Sequence, residues 1–383
     1  MKKNKTAQGC LVNAVVVAVL FAGAQALTAA LGSTNGFKLV AAPCLWQCCY
    51  LVILAASLNL VLGFLGQLSL GHCGFMAIGA YAAALISLAC ERAGVFSDKK
   101  DAMFLVVLIG CILAAGLLSA LVGLLVGIPA LRLKGDYLAI ITLGFGMIIV
   151  NIINNLPFCG QDGLSEGSAS ASLYKSGLGF GTKAKVSFLW VAILTAIVCM
   201  AMMFLFIRSK YGRAIKAIRD DEIAASASGI NVSFYKILTF VYSAFFAGVA
   251  GALYACANAT LSTSSFAFTN GGILNSTFVV VMVVLGGMGS LTGSAVAAVV
   301  MFLVNYQIKN GAWVALLPAA VQGVFTYPML VYAVVLIVVI LFRPRGIFGT
   351  YEFSLINLPA DLKRFRAGKA AEKAERKGVR AHA

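Results

Sequence analysis

The sequence predicts an all-α, polytopic membrane helix bundle of about ten spans, with the N-terminus and C-terminus both cytoplasmic. Of its 383 residues 61% are apolar and only 11% charged, whereas a soluble domain carries roughly 25% charged residues. The apolar residues come in blocks of about 17 to 25, the length at which a helix crosses the hydrocarbon layer while satisfying its own backbone hydrogen bonds. The basic residues gather in alternate loops, which gives the bundle a direction.

In order, the expected spans cover 11–31, 46–62, 73–89, 102–128, 137–156, 186–207, 237–256, 273–285, 291–306 and 324–342. The eighth and ninth read as two short helices around the turn Gly286-Gly287-Met288-Gly289, so either can enter the membrane without crossing it. The start, Met1-Lys2-Lys3-Asn4-Lys5 before an apolar run, imitates a secretory signal. Its apolar block of about 20 residues exceeds a usual signal core of 7 to 15, and a retained first span keeps the charge pattern intact.

With the N-terminus inside, 21 of the 29 Lys and Arg lie in cytoplasmic loops. They sit near Lys2, at Arg132 and Lys134, between Arg208 and Lys236, and from Arg343 onward. The net charge of +16 therefore orients the chain against anionic inner-leaflet lipid, and no nucleic-acid partner is implied. Residues 1–350 form the membrane domain with a cytoplasmic loop at 208–236, and 351–383 form a basic cytoplasmic tail. The ten cysteines include no Cys-x-x-Cys pair. Most lie in apolar blocks, where cysteine acts as a small hydrophobe, and no metal site is expected.

None of the 13 acidic residues, and no Lys or Arg, falls inside an expected span. An ion-coupled carrier usually needs an intramembrane carboxylate or a broken-helix ion site, so the energy source is expected outside this chain. No Gly-x-x-x-x-Gly-Lys-Ser/Thr phosphate loop occurs. The chain needs no cofactor of its own, and ATP, if used, binds a partner. An intramembrane enzyme would need a catalytic constellation in the spans, and only His72 is a candidate.

The most informative stretch runs from Arg208 to Asn231. Tyr211, Ala214, Ile215 and Ile218 follow helical spacing beside a basic face. Asp220, Asp221 and Glu222 place negative charge at the start of a second short helix, and Gly229 is placed to end it. A valine at 229 is expected both to strain the backbone and to clash. Two small amphipathic helices in a loop offer a docking knob; a loop held on the membrane surface by its basic residues is the other reading of the same pattern.

Small polar residues suited to a pathway for a solute with an apolar side chain are Asn59, Gln67, Ser69, His72, Thr142, Asn151 and Asn155. Asn151 and Asn155, four apart, share a helix face. The segments 62–69 and 285–292 both fit Leu-Gly-x-x-Gly-x-Leu-Ser/Thr, and small residues there let backbones pack closely or helices break around a cavity. They read equally as paired elements of a diverged repeat or as chance similarity among 39 glycines.

The segment Glu222-Ile223-Ala224-Ala225-Ser226-Ala227-Ser228-Gly229-Ile230-Asn231 resembles the Glu-Ala-Ala…Gly coupling loop of ABC importer permeases, in the form found in LivM-type permeases for branched-chain amino acids. Matching stretches follow in the family's order: 57–81, 131–146, 284–293 and the closing Arg343-Pro344-Arg345-Gly346-Ile347-Phe348-Gly349. The resemblance covers roughly 50–350. It departs at Phe158-Cys159-Gly160-Gln161-Asp162-Gly163-Leu164, where relatives tend to have Thr-Gly-Gly-x-x-Gly, and in the basic tail.

It implies a permease of the bacterial cytoplasmic (inner) membrane that pairs with a LivH-type second permease. Two ABC ATPase subunits carrying ATP and Mg, and an extracytoplasmic substrate-binding protein, complete the expected assembly. The coupling residues it points to are Tyr211, Gly212, Arg213, Asp220, Asp221, Glu222, Ala224, Ala225, Gly229 and Ile230. The expected activity is translocation of branched-chain or related small amino acids, with no enzymatic step in this chain. The alternatives are a secondary amino acid or amide transporter and an ABC permease for urea or short amides.

Overall fold

The computed structural model describes residues 35–92, 101–131, 136–156, 189–258, 261–266 and 276–310, with four isolated positions between 333 and 341. They lie in one compact unit, Thr34–Tyr351. The expected spans 11–31 and 324–342, Arg132, Lys134, the 158–164 loop, the 343–349 motif and the tail fall outside the described residues or among their isolated positions.

The described elements are helical. Helix α1, Asn35–Asn59, continues into a π-helical turn, Leu60–Phe64; α2 is His72–Arg92, α3 Asp101–Ala130 and α4 Asp136–Asn155. Next come α5, Leu189–Arg208, then two short helices, α6, Lys210–Asp220, and α7, Glu222–Ala227, before α8, Val232–Ala257. A 3-10 turn, Thr263–Phe266, precedes α9, Ser276–Gly286, and α10, Leu291–Asn310. Six helices are long and apolar enough to cross a membrane: Cys44–Phe64, His72–Cys90, Leu105–Ala130, Tyr137–Asn155, Leu189–Arg208 and Val232–Ala257. They match the expected second to seventh spans. The seventh starts five residues earlier than expected, which brings Lys236 into the first turns of α8.

Helix α8 is the axis of the fold and packs on α1, α2 and α3, while α10 packs on α1 and α9. In α1 and α8, 72% of the most apolar stretch is buried, against 33% in α3 and α5. The outer helices therefore turn apolar residues such as Leu117, Leu121, Leu125, Leu194 and Leu205 outward, the pattern lipid rewards. Where α2 and α8 cross, a Cβ on Gly79 would run into the Gly248 backbone, and one on Gly251 into the Met76 carbonyl. Small residues allow this approach, which replaces the hydrophobic drive that lipid removes. Ser119 of α3 ties the crossing together by donating to Ala244 O at 2.8 Å and lying 3.1 Å from Phe75 O.

Of the two expected short helices, α10 runs 20 residues with an apolar part of Leu291–Tyr306, and only α9 falls well short of a span. Helix α9 has 11 residues, a rise of about 16 Å, half of the roughly 30 Å hydrocarbon core. Its first residue, Ser276, accepts from Cys73 N at 3.2 Å, so it begins beside the start of α2. That start is itself set back into the bundle. His72 Nε2 lies 2.7 Å from Ser57 Oγ, and Ser57 is seven residues, about 10 Å along the helix, before the end of the π turn. The non-helical segment 65–71 thus folds back beside α1, tolerable at membrane depth because protein surrounds much of it.

Candidate functional site

The loop 208–236 is built from local rules. Ser209 caps α6, accepting from Tyr211 N at 3.2 Å and donating to Phe206 O at 2.6 Å. Ile215 and Ile218 are buried and Tyr211 and Ala214 half-buried, while Arg213, Lys216 and Arg219 are exposed, as the spacing anticipates. Tyr211 stacks on Phe206 with ring centroids 6.4 Å apart. Gly212 is buried against the Ile207 backbone, where a Cβ would collide.

Asp221 caps α7, its Oδ1 accepting from Ile223 N at 2.8 Å and Ala224 N at 3.0 Å, which is the chemistry expected of an acidic residue at a helix start. At the other end Ile230 N donates to Ala225 O at 3.1 Å and Gly229 N to Ser226 O at 3.0 Å. This pair of bonds closes a helix through a left-handed residue, and Gly229 supplies φ +81°. The expected clash at position 229 does not occur with the described residues: none of their atoms lies within 4 Å of where its Cβ would stand, so among them only the backbone strain remains. Glu222 forms an ion pair with Lys236 at 2.8 Å, the Lys side chain 6% exposed and the Glu 42%. This bond pins α7 to the start of α8. Asp220 is exposed, as are Ala224 and Gly229, whereas Ala225 is buried and Ile230 half-buried.

What the knob presents outward includes two residues that sequence reasoning passed over: Ile223, 81% exposed, and Phe234, 52% exposed. The available signal was that Ile223 lies two positions from Ala225, nearly opposite it on a 3.6-residue helix.

On the same end, the two Gly-rich motifs meet. Asn59 is fully buried; its Nδ2 donates to Ser290 O at 2.8 Å and lies 3.3 Å from Ser294 Oγ, and its Oδ1 accepts from Gly289 N at 3.1 Å. Thr142 is buried and accepts from Leu70 N at 3.2 Å while donating to Ala139 O at 3.0 Å. Ser57 donates to Leu54 O at 2.8 Å, so in the His72 contact the ring Nε2 is the donor. Asn59, His72 and Thr142 thus line up along the 59–72 break with their polar groups engaged by protein. Gln67 Oε1 and Ser69 Oγ are buried there without a hydrogen-bond partner among the described residues.

Asn151 and Asn155 share a face, but it is the exposed one, and Asn155 Nδ2 donates to Asn151 O at 2.8 Å. Their neighbour Asn154 points inward and accepts from Thr263 Oγ at 2.8 Å. A small cavity between α2, α3 and α8, lined by Ala83, Ser87, Cys111, Ala252 and Cys256, measures about 10 Å³. That is room for a water and far too little for an amino acid. Among the described residues no group of His, Cys, Asp and Glu could hold a metal ion.

A helical bundle with lipid-facing outer helices, two breaks meeting at one end and a capped knob beside them is a multi-pass membrane protein. Residues 40–341 match the family described as "Branched-chain amino acid transport system / permease component", and the chain belongs to that family. It is 33% identical over 316 residues to the high-affinity branched-chain amino acid transport system permease protein LivM of Salmonella typhimurium, covering 77% of this chain and 67% of that one. LivM of Escherichia coli matches to the same extent. The LivH permease protein of Salmonella typhimurium is 26% identical over 316 residues, 78% of this chain and 91% of its own. No solved structure matches. These relatives are permease components rather than enzymes.

Proposed function

We propose that this chain is the membrane permease subunit of an ATP-driven importer and translocates branched-chain amino acids delivered by an external binding protein. Two ATPase subunits, holding ATP and Mg, dock on the α6–α7 knob, and a second permease of the LivH type completes the membrane part. The observation that carries this reading is the knob itself. Caps at Asp221 and Gly229 and the Glu222–Lys236 pair hold it in shape, yet it turns Ile223, 81% exposed, away from its own chain. Such a residue, next to exposed Ala224 and with Phe234 exposed in the first turn of α8, suits an apolar groove on a partner protein.

In this reading the knob side is cytoplasmic in a bacterial inner membrane, about ten spans cross it, and both termini lie inside, consistent with the basic loops. Gln67 and Ser69 are the first candidates for the solute path, because Gln67 Oε1 and Ser69 Oγ are buried without a hydrogen-bond partner among the described residues. Asn151 and Asn155 would face the second permease. Co-purification tests the assembly. The tagged chain, extracted mildly from its own membrane, should carry an ATPase that is lost when Ile223 is replaced by Asp. A chain that purifies without any ATPase would contradict the proposal.

A further inference from the structure

Two segments that share the pattern Leu-Gly-x-x-Gly-x-Leu-Ser/Thr, 62–69 and 285–292, end one helix each and are in direct contact. The second glycine of each motif adopts the same left-handed backbone, Gly66 at φ +76° and Gly289 at φ +95°, so the likeness extends from sequence to conformation. At Gly63 there is no room for a Cβ, which would press into Gly289 N and Asn59 Oδ1. Asn59 joins the turns from inside the bundle through the bonds already described.

From outside, one side chain touches both turns. Arg219, in the last turn of α6, donates from Nη1 to Gly63 O at 2.7 Å. Its Cγ lies 3.1 Å from where a Cβ would stand on Gly66, and its Nη1 3.0 Å from the corresponding point on Gly289. Lys216, three residues earlier and so on the same helix face, sets its ammonium 5.4 Å from the centroid of Phe64. Ile215, one turn before Arg219, and Ile218 beside it are buried, so Arg219 stands at the border of the buried strip of α6.

The chemistry of the junction suits a cation. The π turn leaves its carbonyls outside the regular ladder; those of Leu60 and Val61 are taken by Leu65 N at 3.2 Å and Gln67 N at 3.0 Å, and that of Gly63 by Arg219. The C-terminal ends of α1 and α9 both arrive here, each carrying a partial negative charge of roughly half an electron. The carboxylates of Asp221 and Glu222 are occupied by the α7 cap and by Lys236, and the polar contact described for Arg219 is a carbonyl. A planar guanidinium bridges two such ends where a single ammonium reaches one.

We infer that Arg219 is the positioning residue through which the α6–α7 knob grips the paired glycine turns, so that displacement of the knob moves the broken helices α1 and α9 together. The inference rests on the permease reading and adds the route by which a docked ATPase acts on the helices. A helix that ends in a π turn, as α1 does, is suited to such a step, since its last segment is held in a weakly bonded register.

The test uses the complete complex in proteoliposomes with Arg219→Ala and Arg219→Lys beside wild type, reading ATPase retention, ATP hydrolysis and substrate uptake. Uptake per ATP should fall at least about tenfold in Arg219→Ala, inside the 5–150-fold range usual for coupling between sites, with the ATPase still bound, and Arg219→Lys should recover part of it. Uptake and hydrolysis falling in proportion, or an unchanged ratio, would overturn the inference. A wild-type complex without ATP-dependent uptake would instead overturn the permease reading. Hydrogen exchange on the wild-type complex is independent of how the variants fold. Addition of ATP should change protection of 60–69 and 284–292 along with 210–222, and a change confined to 210–222 would refute the link.

Discussion

Replacing Gly229 in a graded series isolates the knob from every other part of the molecule. Gly229 sits at φ +81° with no atom of the described residues within 4 Å of a would-be Cβ, so among them a substitution adds backbone strain and nothing else. An L-residue in the left-handed region costs about 1–2 kcal/mol; asparagine, which tolerates that region, costs less, and a β-branched residue such as valine belongs at the upper end, about 2–3 kcal/mol. Helix α7 has only six residues and is held at this end by two hydrogen bonds from residues 229 and 230. A loss of 1–2 kcal/mol is a factor of about 5–30 in the population of the capped form, and the apparent affinity for a partner that needs this form falls by the same factor once the capped form becomes the minor one. The assay is ATPase binding to the permease complex in nanodiscs. Affinity should fall in the order Gly, Asn, Ala, Val, while membrane abundance stays level. Equal affinity across the series would mean that α7 is not the docking element.

Other perturbations separate packing from docking. Glu222→Lys replaces an ion pair to a 6% exposed lysine by repulsion. Its cost of about 1–3 kcal/mol lies between exposed and buried pairs, and Glu222→Gln should cost less; limited proteolysis within 221–236 reads both. Gly79→Ala drives a methyl into the α8 backbone and should lower the amount of folded protein in the membrane. Gly110→Ala, with nothing within 4 Å among the described residues, should be neutral or stabilise α3 by about 0.5–1 kcal/mol; equal outcomes for the two would refute the close crossing.

What could be read from the sequence were features with a short-range cause. Six spans were legible because each must satisfy its backbone alone. The acidic start of α7 and its end at Gly229 were legible because the bonds Asp221 and Gly229 make reach only two or three residues. Lys236 was placed just outside its span because hydropathy penalises a charge, and the ion pair with Glu222 that lets it enter α8 is invisible to hydropathy. For Asn151 and Asn155 periodicity identified a shared face but not its direction, since a helix in lipid is apolar outside as well as inside; Asn154 turned out to be the inward residue. The junction of Asn59, Gly63, Gly289 and Arg219 was illegible except as a repeated motif, because its bonds join residues 156 to 231 positions apart.

The central claim is that the driving energy comes from ATP on partner subunits. The described helices fit that claim. The charged side chain they bury, Lys236, is paired at the edge of α8, and no buried carboxylate is found among the described residues. The most direct measurement is uptake of a labelled branched-chain amino acid by the complete complex in proteoliposomes, with ATP and binding protein held constant and proton and sodium gradients collapsed by ionophores. The account predicts uptake that continues unchanged and stops when ATP is withdrawn. Uptake that follows the ion gradient and ignores ATP would contradict it and make the chain a secondary carrier.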